Sequence, residues 1–300
     1  MAKFRSNHHR QSKGLFSGGF KLMLVLAFGV VILLFSRPFI DRLVKNIYGT
    51  GQSTTAEGEA FYLPDAGAFP LYHYQGFTLA YDEEHEQPKW VAYELKLAHL
   101  NAPKVPRTDY FEEDPRIRSG SATFNDYKNS GYTKGHMVPA ADRAYSRNTM
   151  EETFLMSNIS PQVYACNGGI WRELEEQVRD WARMYRSVYV VTGPLFSSTV
   201  SKHIGKNRVA VPEAFFKVIL DHLEPEIKGI GFVIPNQLSE QPLQDYMVSI
   251  DEIEEKSGID FFHELFTDKL EDSIESHFDA TQWTFDKERY EQRLNYWNNR

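Results

Sequence analysis

One long amphipathic helix set among short strand-like runs constrains this 300-residue chain more than any other feature. From Ile170 to Tyr185, the residues Trp171, Leu174, Val178, Trp181 and Tyr185 recur at spacings of three and four. That spacing lines them up on one helix face and predicts its burial against a second layer. Around the helix lie runs that read as strands: 77–81 and 90–97 before it, 187–192 after it, closed by Gly193-Pro194, then 215–220 and 229–234. Gln87-Pro88 reads as the break between the first two. Strands and helices do not alternate as βαβ units would, so the pattern predicts an α+β domain with a mainly antiparallel sheet. Downstream, Ser249 caps a helix over 250–257, whose first-turn acids Asp251 and Glu252 suit its dipole. A further helix is expected over 260–277, and Glu252, Glu254 and Glu255 read as a solvated helix face.

The N-terminal segment is organised differently. Phe20–Ser36 reads FKLMLVLAFGVVILLFS, with Lys21 its only charge. Extended through Ile40, with Lys21 and Arg37 snorkelling, residues 20–40 reach the roughly 20 that a bilayer core requires. The pattern predicts one N-terminal transmembrane helix that anchors the chain in the lipid bilayer. The basic flank 1–19 is expected to stay in the cytoplasm and send the body to the periplasmic, extracytoplasmic side. Arg37-Pro38-Phe39-Ile40 is too bulky for a signal-peptide cleavage site, which favours a retained anchor. The first 21 residues hold no acid, so a mitochondrial address followed by a mitochondrial membrane anchor is the alternative. Residues 41–60 have the composition of a flexible linker, and the folded domain is expected over 61–300.

Charge follows the same division. Residues 1–45 carry eight Lys and Arg against Asp41, a net +7, so with −8 for the whole chain the remainder carries −15. Such a body does not attract a polyanion by its net field. A nucleic-acid substrate would need a local basic groove and a bound cation, with binding that weakens steeply in salt. The lone Cys166 excludes an intrachain disulfide framework and a cysteine-built zinc site, and reads as a packing residue. Trp171 and Trp181 read as core, and His73, His99, His203, His222, His263 and His277 as ordinary surface or hydrogen-bonded histidines.

The polar residues next to the long helix suggest chemistry. His136 follows Lys134-Gly135 in the segment Gly131–Asp142. A neutral imidazole can take a proton from water near pH 7. Asn167 and Glu175 are about two helical turns apart and about 80° apart around the axis, so both can border one cleft. Magnesium keeps several waters and needs few protein ligands, so one Asn oxygen with a carboxylate behind its hydration shell is sufficient. Base, cation and cleft together fit hydrolysis of a phosphodiester. Gly135 is expected to let phosphate or backbone approach closely. Arg107 and Arg179 are candidate phosphate contacts, and Arg179 is equally placed to pair with Glu175 or Glu176 along the helix.

The Lys134-Gly135-His136 segment, the Asn158-Ile159-Ser160-Pro161-Gln162 turn and the Asn167, Trp171, Leu174-Glu175 helix resemble the DNA/RNA non-specific endonuclease family. This is the ββα-metal, or His-Me finger, type that includes endonuclease G. The resemblance continues through 190–196, 211–220 and 231–236, and so spans roughly 61–240. It implies an α+β fold with a ββα-metal active-site motif and hydrolysis of DNA and RNA to 5′-phosphate and 3′-hydroxyl ends. It also implies His136 as general base, Lys134 as the cation beside it, Asn167 as the direct Mg2+ ligand (with Mn2+ as a substitute), Glu175 as holder of metal-bound water and Asn158 as a residue that shapes the site. Contacts mainly to the phosphate backbone would give little sequence preference. The family also allows a homodimer. Where the family has Asp-Arg-Gly-His, this chain has Thr133-Lys134-Gly135-His136. Lys134 keeps the charge but loses the planar two-pronged fork, and Thr133 lacks the carboxylate. That departure reads as a tuned or weaker enzyme. Two other readings use the same residues: a catalytically silent, membrane-anchored binding protein that reuses the fold, and a hydrolase of another phosphodiester such as a nucleotide or lipid head group.

Overall fold

The computed structural model of the chain describes residues 62–298. The basic segment 1–19, the expected anchor 20–40, the linker 41–60 and Phe61 lie outside the described residues. Among the described residues no helix is long and apolar enough to cross a membrane.

The strands are β1 (Leu71–His73), β2 (Thr78–Asp82), β3 (Gln87–Lys96), β4 (Thr133–His136), β5 (Ile159–Gln162), β6 (Ser187–Leu195), β7 (His203–Ile204), β8 (Val209–Ala210), β9 (Ala214–Asp221), β10 (Lys228–Pro235) and β11 (Met247–Val248). Seven of them make one sheet in the order β1-β2-β3-β6-β9-β10-β11, and every neighbouring pair is antiparallel. β4–β5 and β7–β8 form separate two-stranded pairs. The α+β class and antiparallel sheet expected from the pattern are therefore present.

The longer helices are α1 (Arg172–Tyr185), α2 (Ile250–Ser257) and α3 (Asp268–Glu275). They cover both faces of the sheet, which is why its central strands read as unbroken apolar runs rather than as alternation. Leu79, Tyr81, Phe215 and Ile219 share one core with Trp171, Leu174, Val178 and Trp181. Ala80, Phe216, Val218 and Leu220 share the opposite core with Ile250, Ile253, Phe261 and Ile274. Each fully buried side chain of this size contributes about 1.5–3 kcal/mol, so the two cores fix the sheet between its helical layers.

Four local expectations are corrected. The helix expected over 260–277 forms only at Asp268–Glu275. Phe261 and Phe262 are buried in the core under α2, and Phe262 sits at φ 56°, which no helix residue can adopt. Pro88 is not a break but lies within β3. There it pairs with Tyr81 of β2, while β3 joins β6 only from Val91 onward. The long helix begins earlier than its apolar stripe, with a π turn over Cys166–Trp171 containing Gly169 at φ −102°, ψ −110°. Glu254 is not on a solvated face: it is half-buried, and its Oε1 accepts the backbone N–H of Phe261 at 2.8 Å.

Candidate active site

β4 and β5 pair with His136 opposite Ile159 and Lys134 opposite Pro161, and the chain then enters the π turn and α1. This strand–strand–helix unit carries the residues singled out in the sequence. His136, Lys134, Asn167, Glu175, Arg107 and Arg179 all line one cleft of about 280 Å³. Asn158 does not line it.

Asn158 is fully buried behind the strand that bears His136. Its Oδ1 accepts from Val138 N at 2.9 Å, and its Nδ2 donates to Val138 O at 3.1 Å and Thr153 O at 2.9 Å. Its own carbonyl accepts from Met137 N at 3.0 Å. The side-chain amide thus prolongs the β4–β5 pairing by imitating a strand, and it fixes the backbone just past His136. It braces the cleft from behind and makes no contact inside it.

His136 is 9% exposed. Phe154 meets its ring edge-on at 5.0 Å and Phe111 lies tilted at 5.4 Å, which leaves the imidazole little freedom to rotate. Nε2 has no hydrogen-bond partner among the described residues. Burial, reinforced by Arg107 and Lys134, holds the imidazole pKa down to about 3. The ring is therefore neutral across the physiological range. Lys134 Nζ lies 4.6 Å from the Phe124 ring and 4.9 Å from the Phe111 ring. Its pKa is lowered by burial between those faces.

Gly135 serves a different purpose from the one expected. A Cβ there would come within 2.2 Å of the Gln162 side chain, so the missing side chain admits the residue on the paired strand rather than a phosphate.

Asn167 is oriented by the residue that departs from the family pattern. Its Nδ2 donates to Thr133 Oγ1 at 2.8 Å, and that hydroxyl donates to Gln162 O at 2.8 Å. A hydroxyl can donate one bond and accept another, so Thr133 fixes which end of the amide turns away and leaves Oδ1 for the cleft. The loss of a carboxylate at 133 is thus not the loss of an acceptor for Asn167.

Below Glu175 lies a buried charge network that sequence reading missed. Asp142 Oδ1 accepts from Arg179 Nη1 at 2.9 Å, and Asp142 Oδ2 accepts the Tyr93 hydroxyl at 2.7 Å. Arg179 therefore pairs with Asp142, not with Glu175 or Glu176 as helical spacing suggested. Lys217, 1% exposed, donates to Thr192 Oγ1 at 2.7 Å and lies 4.6 Å from the Trp171 ring. Burial raises the Glu175 pKa, opposed by Arg179 and Lys217. Burial lowers that of Lys217, opposed by Glu175 and Asp142. One signal was present in the sequence: a lysine inside the apolar run Phe215–Leu220 can be buried only against an acid or a ring system. Asp142 gave no comparable signal.

The cleft is locally basic on an acidic body, since Arg107, Lys134, Arg172 and Arg179 line it against Glu175 and Glu176. Besides Arg179, held by Asp142, two of these cations are partly committed, because Arg107 Nε donates to Asp109 at 2.5 Å and Arg172 Nε to Glu176 at 3.0 Å. Both pairs are exposed and worth little, so a phosphate can exchange with them. The donor set fits a hydrated divalent cation: one amide oxygen and one carboxylate line the same cleft, both hard oxygen ligands. Behind the cleft, burial pushes the Cys166 thiol up to about 12, as expected of a packing residue.

Comparison with known proteins places the chain among nucleases. A family model described as DNA/RNA non-specific endonuclease matches residues 60–268. The chain is 37% identical over 238 residues to the mitochondrial nuclease EXOG of Danio rerio, covering 74% of this chain and 69% of that protein. It is 36% identical over 200 residues to the mitochondrial endonuclease G of Homo sapiens, covering 62% and 67%. Among solved structures, a chain from an EndoG/EndoGI inhibition complex superposes with TM-score 0.63 at 30% identity, covering 67% of this chain and 89% of that one.

Proposed function

The chain belongs to the DNA/RNA non-specific endonuclease family, and we propose that it is a Mg2+-dependent enzyme hydrolysing phosphodiester bonds of both DNA and RNA from the His136 cleft. The observation that carries this reading is convergence. A neutral imidazole whose buried Nε2 has no hydrogen-bond partner among the described residues, an oriented Asn167 amide and the Glu175 carboxylate share one cleft ringed by cations. A silent scaffold would have no need of that combination.

In this reading His136 Nε2 takes a proton from the water that attacks phosphorus. Asn167 Oδ1 would hold Mg2+, with Mn2+ as a substitute, and Glu175 would orient the ion's hydration shell. The bound cation supplies stabilisation of the charge that grows on the phosphate oxygens. Lys134 and Arg107 bind the scissile phosphate, and Arg179, held by Asp142, keeps positive charge beside Glu175. Attack by water that releases the 3′ oxygen leaves 5′-phosphate and 3′-hydroxyl ends. Contacts confined to phosphates carry no sequence information, so preference among sequences is weak. The purified protein should nick plasmid and degrade RNA in Mg2+ at low salt and stop on chelation. Binding without cleavage would favour the silent scaffold, and cleavage only of nucleotide or lipid diesters would favour the other hydrolase.

Two substitutions probe the departures from the family pattern. Thr133→Val removes the hydroxyl that orients Asn167, and apparent metal affinity should fall about 10–100-fold, as for other residues that hold a ligand from behind. A Mg2+ titration of nicking rate reads this directly. Lys134→Arg should preserve or raise turnover, because the guanidinium presents two donors to one phosphate. A large fall in kcat would show that the site needs a compact ammonium between Phe111 and Phe124.

The apolar run 20–40 tethers the domain to a membrane in this proposal, with 41–60 as tether and 61–300 as the nuclease domain. The mitochondrial designation of relatives supports the mitochondrial membrane over a periplasmic face. Full-length chain should remain with carbonate-washed membranes, whereas a chain starting at residue 61 should not.

A further inference from the structure

Across the sheet from the cleft, three carboxylates converge where α2 meets α3. Asp251 and Glu254 project from α2 and Glu275 from the last turn of α3, each offering an oxygen within 4.8 Å of the others. Crowded exposed acids alone would mean nothing, but Glu275 is 5% exposed and its Oε1 is buried with no hydrogen-bond partner. Among the described residues no salt bridge reaches Asp251, Glu254 or Glu275, and the nearby lysine Lys256 pairs with Glu252 instead. Asp260 and Glu271 add further negative charge around Glu275. An unpaired buried carboxylate facing like charges is costly unless a cation or a proton compensates it.

We propose that Asp251, Glu254 and Glu275 form a calcium site that clamps α3 onto α2, separate from the catalytic cleft. Size selects the ion. Three atoms no more than 4.8 Å apart lie at most about 2.8 Å from a common centre. Calcium–oxygen distances of about 2.3–2.6 Å need only a small contraction, whereas magnesium at about 2.0–2.1 Å needs a much larger one and a rigid octahedron. Asp251 is exposed, so water completes the coordination from the solvent side, while Ile250, Ile253 and Ile274 seal the other. Without the ion, burial first and then the neighbouring acids push the Glu275 pKa up to about 9.

The test is calcium titration of the full chain in mild detergent, read by calorimetry and by thermal unfolding. One Ca2+ should bind, and Tm should rise by roughly 5 °C at about 100-fold excess over Kd. Glu275→Gln should abolish both effects while leaving nuclease activity unchanged, and Asn167→Ala should leave the calcium shift intact. Asp251→Asn, at an exposed ligand, repeats the test if Glu275→Gln does not fold. The proposal is overturned if calcium gives no shift, or if the shift disappears in Asn167→Ala and persists in Glu275→Gln. It is equally overturned if Glu275→Gln raises Tm and the wild type binds no calcium, which would make Glu275 a protonated acid. Because the catalytic variant retains this effect, a failure here is distinguishable from a failure of the nuclease assignment.

Discussion

His136→Ala lowers plasmid nicking by about 10²–10⁴-fold, the range expected when a positioned general base is removed. No other histidine lines the cleft, and Glu175 is engaged electrostatically by Arg179 and Lys217, so no neighbour takes over the role. The loss should fall on kcat and leave KM little changed, because the imidazole acts on water and not on the phosphate backbone. Truncation also leaves a void against Phe111 and Phe154 and costs some stability. Thermal unfolding must therefore accompany the kinetics. A folded variant with unchanged activity would remove His136 from the chemistry.

Asn167→Ala should lower activity at least about 100-fold at fixed Mg2+, more than typically follows loss of a residue that only orients a ligand. Its signature is an altered metal requirement, with higher Mg2+ recovering part of the rate. The same increase would recover nothing in His136→Ala. Thr133→Val belongs to the first class and not the second, since it loosens Asn167 without removing it. Three variants with two distinguishable responses to Mg2+ would separate the proton acceptor from the metal ligand and from the residue that positions that ligand. If Asn167→Ala had the same Mg2+ midpoint as wild type, the ion would have to be held elsewhere.

Long elements with a full apolar face were legible in the sequence. Runs read at 187–192, 215–220 and 229–234 form Ser187–Leu195, Ala214–Asp221 and Lys228–Pro235. Short elements were not. β4 and β5 hold four residues each, too few for any period to show, although they carry the site. The start of the long helix was hidden because Gly168-Gly169 argues against helix, while the chain there forms a π turn that presents Asn167. A helix was expected over 260–277, but Phe261 and Phe262 serve the core from an irregular backbone. Site residues with unusual neighbours in sequence, such as His136 and Asn167, were identifiable. Asp142 and Tyr93 were not, because only the fold brings them under Arg179.

The acidic body also bears on how the cleft operates. Four cations line it against two carboxylates, so attraction to a polyanion is local and shielded by added salt. A bound divalent ion adds to that local field, which couples substrate binding to metal more tightly than in a basic protein. At the two positions that depart from the family pattern, the Thr133 hydroxyl provides an acceptor for Asn167, and the Lys134 ammonium provides a charge in the cleft that His136 lines.

The central claim is that His136 delivers water to phosphorus with a divalent cation held by Asn167, on DNA and RNA alike. End-group analysis of the products from both polymers in Mg2+ at low salt tests it most directly. Both should be cut to 5′-phosphate and 3′-hydroxyl ends, with no cleavage once the metal is chelated. RNA cleaved to 2′,3′-cyclic phosphate while DNA stays intact would contradict the account, because the nucleophile would then be the ribose hydroxyl and not water.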